Sequence, residues 1–357
     1  MSGARANPER LRLGVRAVFA KGGCREAEAK AVADHLVEAN LMGHDSHGVI
    51  RVAKYIDWQK QGMVLANRKP KTLRDEGVLM MIDGQFGYGQ SVARAALAGA
   101  IERAKSRGVA VLALRNSGHL GRIGAWAEMA AASGLVSLHF VNTTGFGILV
   151  APHGGSDRRL SANPIAAGVP VKDGAPIILD MSTCVIAEGK IQVARNRKEP
   201  LPAGAVLDGK GRPTRDAELF YADPPGAILP IAGHKGSGLS LIGEVLAGAL
   251  TGGGSSHPDN PTAKRLVNNM LSVLIDTDSL SGEQAFAADV QRLKSWVKAS
   301  PPIAPGGEVL LPGEVERRVR ADRETNGIPL DDATRAQIAS AAQAVGLDRK
   351  TIDAAMN

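Results

Sequence analysis

From Val78 onward, short apolar runs alternate with alanine-rich stretches of helical period, and this alternation constrains the fold more than any other feature. Leu79-Met80-Met81-Ile82 reads as a strand, Ser91 to Arg107 as a helix and Val109 to Leu114 as a strand. Ile123 to Ala132 then reads as a helix, Leu135 to Val141 as a strand, and Ile177-Ile178-Leu179-Asp180 as a strand ending in an acid. Runs such as Val109-Ala110-Val111-Leu112-Ala113-Leu114 lack the in–out alternation of a half-solvated strand, so helices must cover the sheet. The expected class is α/β. An ordinary Rossmann dinucleotide site is disfavoured: the Gly-x-Gly pairs starting at Gly87, Gly145, Gly209, Gly236 and Gly252 all lack the third small residue of that fingerprint.

Helical segments flank this core. Residues 8 to 20 form a first helix, opened by Pro8, with a stripe of Leu11, Val15, Val18 and Phe19. A second runs from about Glu26 to Met42, and an amphipathic stretch from Val52 to Gln61 carries Tyr55 and Trp58. The Pro-, Gly- and Asp-rich segment Pro200 to Gly226 reads as a long surface excursion, and Leu239 to Leu250 as a helix. The C-terminal part holds a strand at Ser272 to Ile275, a helix from about Glu283 to Lys298 and a last helix starting near Asp332.

The formal charge is +7, yet the basic residues are dispersed and only 3% of residues are aromatic, which argues against a nucleic-acid face. Positive charge equally suits anionic small molecules. Cys24 and Cys184 cannot build a disulfide framework. No apolar run approaches the about 20 residues of a membrane span. Met1 to Arg10 lacks the apolar core of a secretion signal, so a cytoplasmic location is expected.

Three stretches could carry chemistry. Gly43-His44-Asp45-Ser46-His47-Gly48-Val49-Ile50-Arg51 follows an apolar helical run. If the helix continues or restarts there, His47 and Arg51 share a face. One could move a proton, with an unperturbed pKa of about 6.5, and the other could grip a carboxylate with its two-pronged guanidinium. The plainer alternative is a helix end with one exposed charge and a locally bonded histidine. Gly118-His119-Leu120-Gly121-Arg122-Ile123-Gly124 lies between a strand and a helix, where glycines let backbone approach a ligand and helix N–H groups face an anion. Gly233-His234-Lys235-Gly236-Ser237-Gly238 has the same logic, without Walker spacing. Metal binding is disfavoured, since His44 and His47 have no third ligand nearby; His139 and His153 read as ordinary histidines. Ser46 beside His47 suggests a nucleophile pair, but sequence neighbours seldom face each other on a helix, and no Gly-x-Ser-x-Gly elbow is present.

Taken together with Asn163-Pro164, Asp180-Met181-Ser182-Thr183, Gly189-Lys190 and Leu311-Pro312-Gly313-Glu314, these motifs run in one order along nearly the whole chain. In that order the chain resembles the malate/L-lactate/ureidoglycolate dehydrogenase family, also called sulfolactate dehydrogenase-like. The resemblance implies a non-Rossmann NAD(P)-binding α/β fold with helical N- and C-terminal parts. It groups residues 1–75 with about 255–357 as a helical, substrate-side domain and 76–254 as the cofactor-binding domain. It further implies NAD or NADP as cofactor, a small 2-hydroxy or 2-oxo acid as partner, and a homodimer.

Carried over by position, His47 matches the proton donor/acceptor and Arg51 the carboxylate clamp. His119 matches a histidine that some members use as base, and Ser46 belongs to a Ser–His pair that serves a proton relay in imine-reducing members. Gly121, Arg122 and Ile123, Asp180 to Thr183, His234 and Lys235, and Leu311, Pro312, Gly313 and Glu314 match cofactor-contacting segments. Two departures stand out. The family's Gly-Thr-Asn-Pro appears as Ser161-Ala162-Asn163-Pro164, which moves or removes a hydroxyl beside the substrate. Lys190 occurs where some imine-reducing members carry an acid, which favours a 2-hydroxy acid over a cyclic imino acid as substrate.

Overall fold

The computed structural model describes residues 5–262 and 264–356, with only the backbone at 196 and 197. Met1 to Ala4, the start of the stretch read for a secretion signal, lie outside the described residues. Asn7 caps α1 (Pro8–Lys21): its side chain accepts from the backbone N–H groups of Glu9 and Arg10 at 3.0 and 3.1 Å, and Pro8 fills the first turn. The stripe Leu11, Val15, Val18 and Phe19 is fully buried. It packs in one apolar cluster with α2 (Glu26–Leu41) and α3 (Arg51–Lys60). The C-terminal helices α11 (Asp332–Ala344) and α12 (Arg349–Met356) complete that layer. β1 (Arg5–Ala6) pairs antiparallel with β12 (Ile328–Pro329) and fastens the two ends of the chain together.

The second layer is a seven-stranded sheet. Its strands are β2 (Lys71–Glu76), β3 (Leu79–Asp83), β4 (Val109–Ser117), β5 (Leu135–Gly145), β6 (Ile165–Val169), β7 (Ile177–Met181) and β11 (Leu266–Asp276), in spatial order β2-β3-β4-β11-β5-β6-β7. Only β3 and β4 run parallel; every other pairing is antiparallel. α4 (Gly89–Arg107) makes the crossover between that parallel pair. With α5 (Gly124–Ala131) it buries Ala96, Leu97, Ile101 and Trp126 against one face of the sheet. β11 comes from the part of the chain grouped above with the helical ends, yet it fills the centre of the sheet.

The other face is covered by α8 (His234–Gly243), which continues as a π-helix over Glu244–Ala249. Its inward side is polar. Ser240 and Glu244 are buried, and Glu244 accepts from Asn142 at 2.9 Å and Asn163 at 2.8 Å. Its apolar side faces outward, with Leu241 57%, Val245 49% and Leu250 61% exposed.

Pro200 to Gly226 is not a loose excursion. β8 (Val206–Leu207), β9 (Pro213–Thr214) and β10 (Ala227–Ile228) form a small sheet, and α7 (Ala217–Tyr221) packs beside it. Leu201, Val206 and Phe220, together with Ile191 of α6 (Glu188–Arg197), make a separate apolar core. A few well-placed apolar side chains outweigh the turn-rich composition.

Candidate functional site

α2 ends in a tight turn that Asn40 organises. Its Oδ1 accepts from the Val49 N–H at 2.8 Å, and its Nδ2 donates to Asp45 at 2.6 Å. Arg323 of α10 (Glu314–Asn326) clamps the same Asp45 carboxylate from the C-terminal side at 2.5 and 3.0 Å. Asp45–His47 forms a single 3-10 turn, and Gly48 then adopts extended backbone at φ −89 and ψ −152. A Cβ on Gly48 would lie 2.1 Å from Asn40 Oδ1, so no larger residue fits there.

The helix therefore restarts only at Arg51, and His47 and Arg51 do not share a helical face. Arg51 instead reaches back, its Nε donating to the Ser46 carbonyl at 2.6 Å. Its Nη groups make no hydrogen bond or ion pair among the described residues. Ser46 Oγ lies 3.0 Å from His47 Nδ1. These sequence neighbours do meet, within the 3-10 turn.

His119 reaches the same place from the other layer. The loop after β4 passes close to the start of α4: a Cβ at Gly89 would lie 2.3 Å from the His119 carbonyl. The His119 and His47 rings stack with centroids 5.6 Å apart and planes 19° from parallel. Tyr55 OH lies 2.6 Å from His119 Nδ1. Gln90 Nε2 donates to Tyr55 OH and to the His119 carbonyl, each at 3.0 Å. That carbonyl can only accept, which fixes the amide's orientation. Tyr55 therefore donates its proton to His119 Nδ1, and neutral His119 carries its own on Nε2.

Burial, then the Arg51 charge, hold both histidines well below the ordinary pKa. Burial pushes the Tyr55 phenol up to about 12, so it stays a donor. Tyr55 and Gln90 were not singled out from the sequence. Tyr55 stands one helical turn beyond Arg51, a spacing that could have marked it; Gln90 carries no local signal.

The other site segments are strung along β7. At its start, the Pro312 carbonyl accepts from the Ile178 N–H at 3.2 Å, placing Leu311 to Glu314 there. At Asp180, Oδ2 accepts from the Gly124 N–H at 2.8 Å and caps α5. Met181 ends the strand opposite Ile165. Ser182 and Thr183 both donate to the Ala162 carbonyl, at 3.2 and 2.8 Å. The Thr183 carbonyl accepts from the Ile231 N–H at 2.9 Å, which ties in the start of α8. There His234 lies against His153 with ring centroids 5.8 Å apart, and Lys235 occupies the first turn. Ser161 is fully buried and bonds Asn163, so its hydroxyl serves the interior.

Gly121 has a φ of +74, and a Cβ on it would lie 2.2 Å from His35 Nε2. That nitrogen accepts from the Arg122 N–H at 2.9 Å, while the His35 ring stacks on Trp126 with centroids 5.2 Å apart. Arg122 is 2% exposed and pairs with Glu128, but its buried Nε–H has no partner among the described residues. Ile123 is buried behind it. With the N-terminus of α5 taken by Asp180, the orphaned Nε–H of Arg122 beside the Gly121 turn is the donor here that fits an anionic part of a dinucleotide.

Comparison with known proteins bears on this arrangement. A family model described as malate/L-lactate dehydrogenase matches residues 6–339. Hydroxycarboxylate dehydrogenase B of Escherichia coli (strain K12) is 40% identical over 354 residues, 99% of this chain and 98% of its own length. The structure of sulfolactate dehydrogenase from Methanocaldococcus jannaschii superposes with a TM-score of 0.85 at 33% identity, covering 97% of this chain and 99% of that one. Delta1-piperideine-2-carboxylate reductase from Pseudomonas syringae pvar. tomato gives 0.83 at 31% identity, covering 95% and 100%. The α/β fold is that of the sulfolactate dehydrogenases.

Proposed function

The chain belongs to the malate/L-lactate dehydrogenase family, and from that premise we propose that it interconverts a 2-hydroxy acid and its 2-oxo acid, with NAD or NADP as redox partner. The observation that carries this reading is the pair of stacked histidines beside an arginine whose Nη fork is unengaged. Arg51 binds the substrate carboxylate through both Nη groups, held in orientation by its Nε bond to Ser46. His119, with Nδ1 taken by Tyr55, offers an Nε2–H to the substrate oxygen and orients it. His47 takes the hydroxyl proton during oxidation and returns it during reduction. Acid–base help of this kind contributes about 10²–10⁴-fold in rate. The nicotinamide, when bound, accepts or supplies the hydride. Gly121 to Ile123, Asp180 to Thr183, His234, Lys235 and Leu311 to Glu314 would hold that cofactor.

The uncovered apolar side of α8 and its π-helical continuation supports a homodimer. On the same face of the sheet as Asn142, Leu138 is also 42% exposed and extends that surface. No helix among the described residues is long and apolar enough to cross a membrane, which is compatible with a cytoplasmic enzyme.

The test is a panel of 2-oxo acids assayed by nicotinamide absorbance with each dinucleotide. Turnover of at least one acid is expected, and Arg51→Lys should raise KM for the acid but leave the dinucleotide's unchanged, because lysine loses the fork. The likeness to the piperideine-2-carboxylate reductase supports a second reading, reduction of a cyclic imino acid at the same site. Including such an imine in the panel separates the two. A protein that binds dinucleotide yet turns over nothing would be a binding protein, and the proposal would fall.

A further inference from the structure

A cavity of about 400 Å³ lies apart from His47 and His119, between the start of β7, α9 (Glu283–Lys298) and α10. Ile177 and Leu311 give it apolar wall, while Lys294, Arg317, Arg318 and Glu314 give it charge. The charges are unevenly compensated. Glu314 is held by Lys298 at 2.7 Å, and Arg318 pairs with Glu308. Arg317 makes no ion pair among the described residues; its Nη1 donates to the Pro176 carbonyl at 3.0 Å. Lys294 has no hydrogen-bond or ion-pair partner among the described residues. Two cations that form no ion pair of their own, with the nearby Glu314 already held by Lys298, stand beside an apolar wall and suit an aromatic group that carries a doubly charged phosphate.

Two structural rulers relate this cavity to the histidines. β7 runs from Ile177 at the cavity to Met181, beyond the Asp180 contact with Gly124, a span of about 13 Å at ~3.3 Å per residue. α10 runs from Glu314 at the cavity to Arg323, which grips Asp45 beside Ser46 and His47, about 14 Å at ~1.5 Å per residue. Both match the distance over which an extended dinucleotide separates its nicotinamide from its adenosine.

We propose that this cavity receives the adenosine end of the cofactor and that Lys294 and Arg317 bind its 2′-phosphate, which makes the protein selective for NADP(H). The inference rests on the dehydrogenase reading above and deepens it. An adenosine with a free 2′-hydroxyl leaves both cations unpaired, whereas a 2′-phosphate satisfies them.

Binding can be measured without turnover, by fluorescence titration with NADPH and NADH and by calorimetry with 2′,5′-ADP and 5′-AMP. Charge-assisted bonds of this kind should make NADPH bind about ten- to a hundredfold tighter than NADH, and 2′,5′-ADP tighter than 5′-AMP by a similar factor. Lys294→Ala should remove much of the preference, and Lys294→Ala/Arg317→Ala nearly all of it. NADH affinity should remain within about twofold, which also reports that the variants are folded. Equal affinity of the wild type for both dinucleotides, or a preference that survives the double variant, overturns the inference. Turnover with a preference for NADH overturns the inference alone, whereas failure to bind either dinucleotide removes the dehydrogenase reading as well.

Discussion

His119 Nδ1 is occupied by the Tyr55 hydroxyl at 2.6 Å, whereas His47 Nδ1 faces only the rotatable hydroxyl of Ser46 at 3.0 Å. Protonating His119 would force Tyr55 to reverse its bond and find another acceptor for its own proton; protonating His47 requires only that Ser46 turn its hydroxyl. His47 is thus the group suited to cycle between states. Its pKa is lowered by burial first and by Arg51 second, so free enzyme near neutrality holds it neutral. With the sign worked through, oxidative kcat/KM should be flat across neutral pH and fall only in acid. Reductive kcat/KM should fall about tenfold per pH unit as the pH rises through neutrality. The ionisation is therefore displaced below the value of about 6.5 expected from the residue type alone. A carboxylate on Arg51 cancels that neighbour's charge, so the pKa seen in kcat should lie above the one seen in kcat/KM. An oxidative kcat/KM that titrates at or above the ordinary histidine value would exclude His47. His47 and His119 stood out because the chain has only 8 histidines, and Arg51 because it follows His47 at a spacing of four. Tyr55 was in view as a helix residue, but its meaning depends on a ring 64 residues away.

Elements act here by seating one another. The first turn of α6 lies against the 3-10 turn of the histidine loop, and a Cβ on Gly189 would stand 2.7 Å from Ser46 Cβ and 3.3 Å from its Cα. Gly189→Ala should push that turn away from Arg51 and lower kcat/KM at least about tenfold, for a stability loss of about 1–3 kcal/mol. Steady-state kinetics beside thermal melts would show this, and an unaltered kcat/KM would mean that the seat does not matter. The helices that were read at α1 to α5, α9 and α11 were placed to within a few residues. By contrast, α8 begins five residues before the expected Leu239, α12 follows the helix expected to be the last, and α6, α7 and α10 were not read. β11 was only partly readable, as Ser272 to Ile275. Its first half carries Asn268 and Asn269, polar residues that break a buried-strand pattern. They fix the neighbouring strand β4 and the loop that follows it: Asn268 Oδ1 accepts from the Leu120 N–H at 2.8 Å and Asn269 Oδ1 from the Asn116 N–H at 2.9 Å. The same cause hid the polar inner side of α8, whose partners lie on other strands.

For the molecule as a whole, two buried histidines outside the proposed proton-transfer pair add to the response to acid. His35 and His139 are buried, and burial brings each pKa down to about 3. In the unfolded chain both bind protons below about pH 6.5, and in the folded chain they do not. Their contribution is fully present above that pH and is lost as the pH falls toward 3, by about 1.4 kcal/mol per unit for each. Urea unfolding followed from neutrality down to about pH 5 should show a steep loss, and His139→Asn should reduce its slope. A slope unchanged by that substitution would show that His139 titrates normally in the folded protein. The sheet's strand order also has a bearing on biogenesis. β4 and β5 can pair only through β11, which is made more than a hundred residues after β5 begins. While the ribosome is still reading that interval, the emerging chain holds two strand edges open side by side with nothing to close them. Folding of this layer is therefore completed late, and the cell must keep the nascent chain from sticking to its neighbours until β11 has left the exit tunnel.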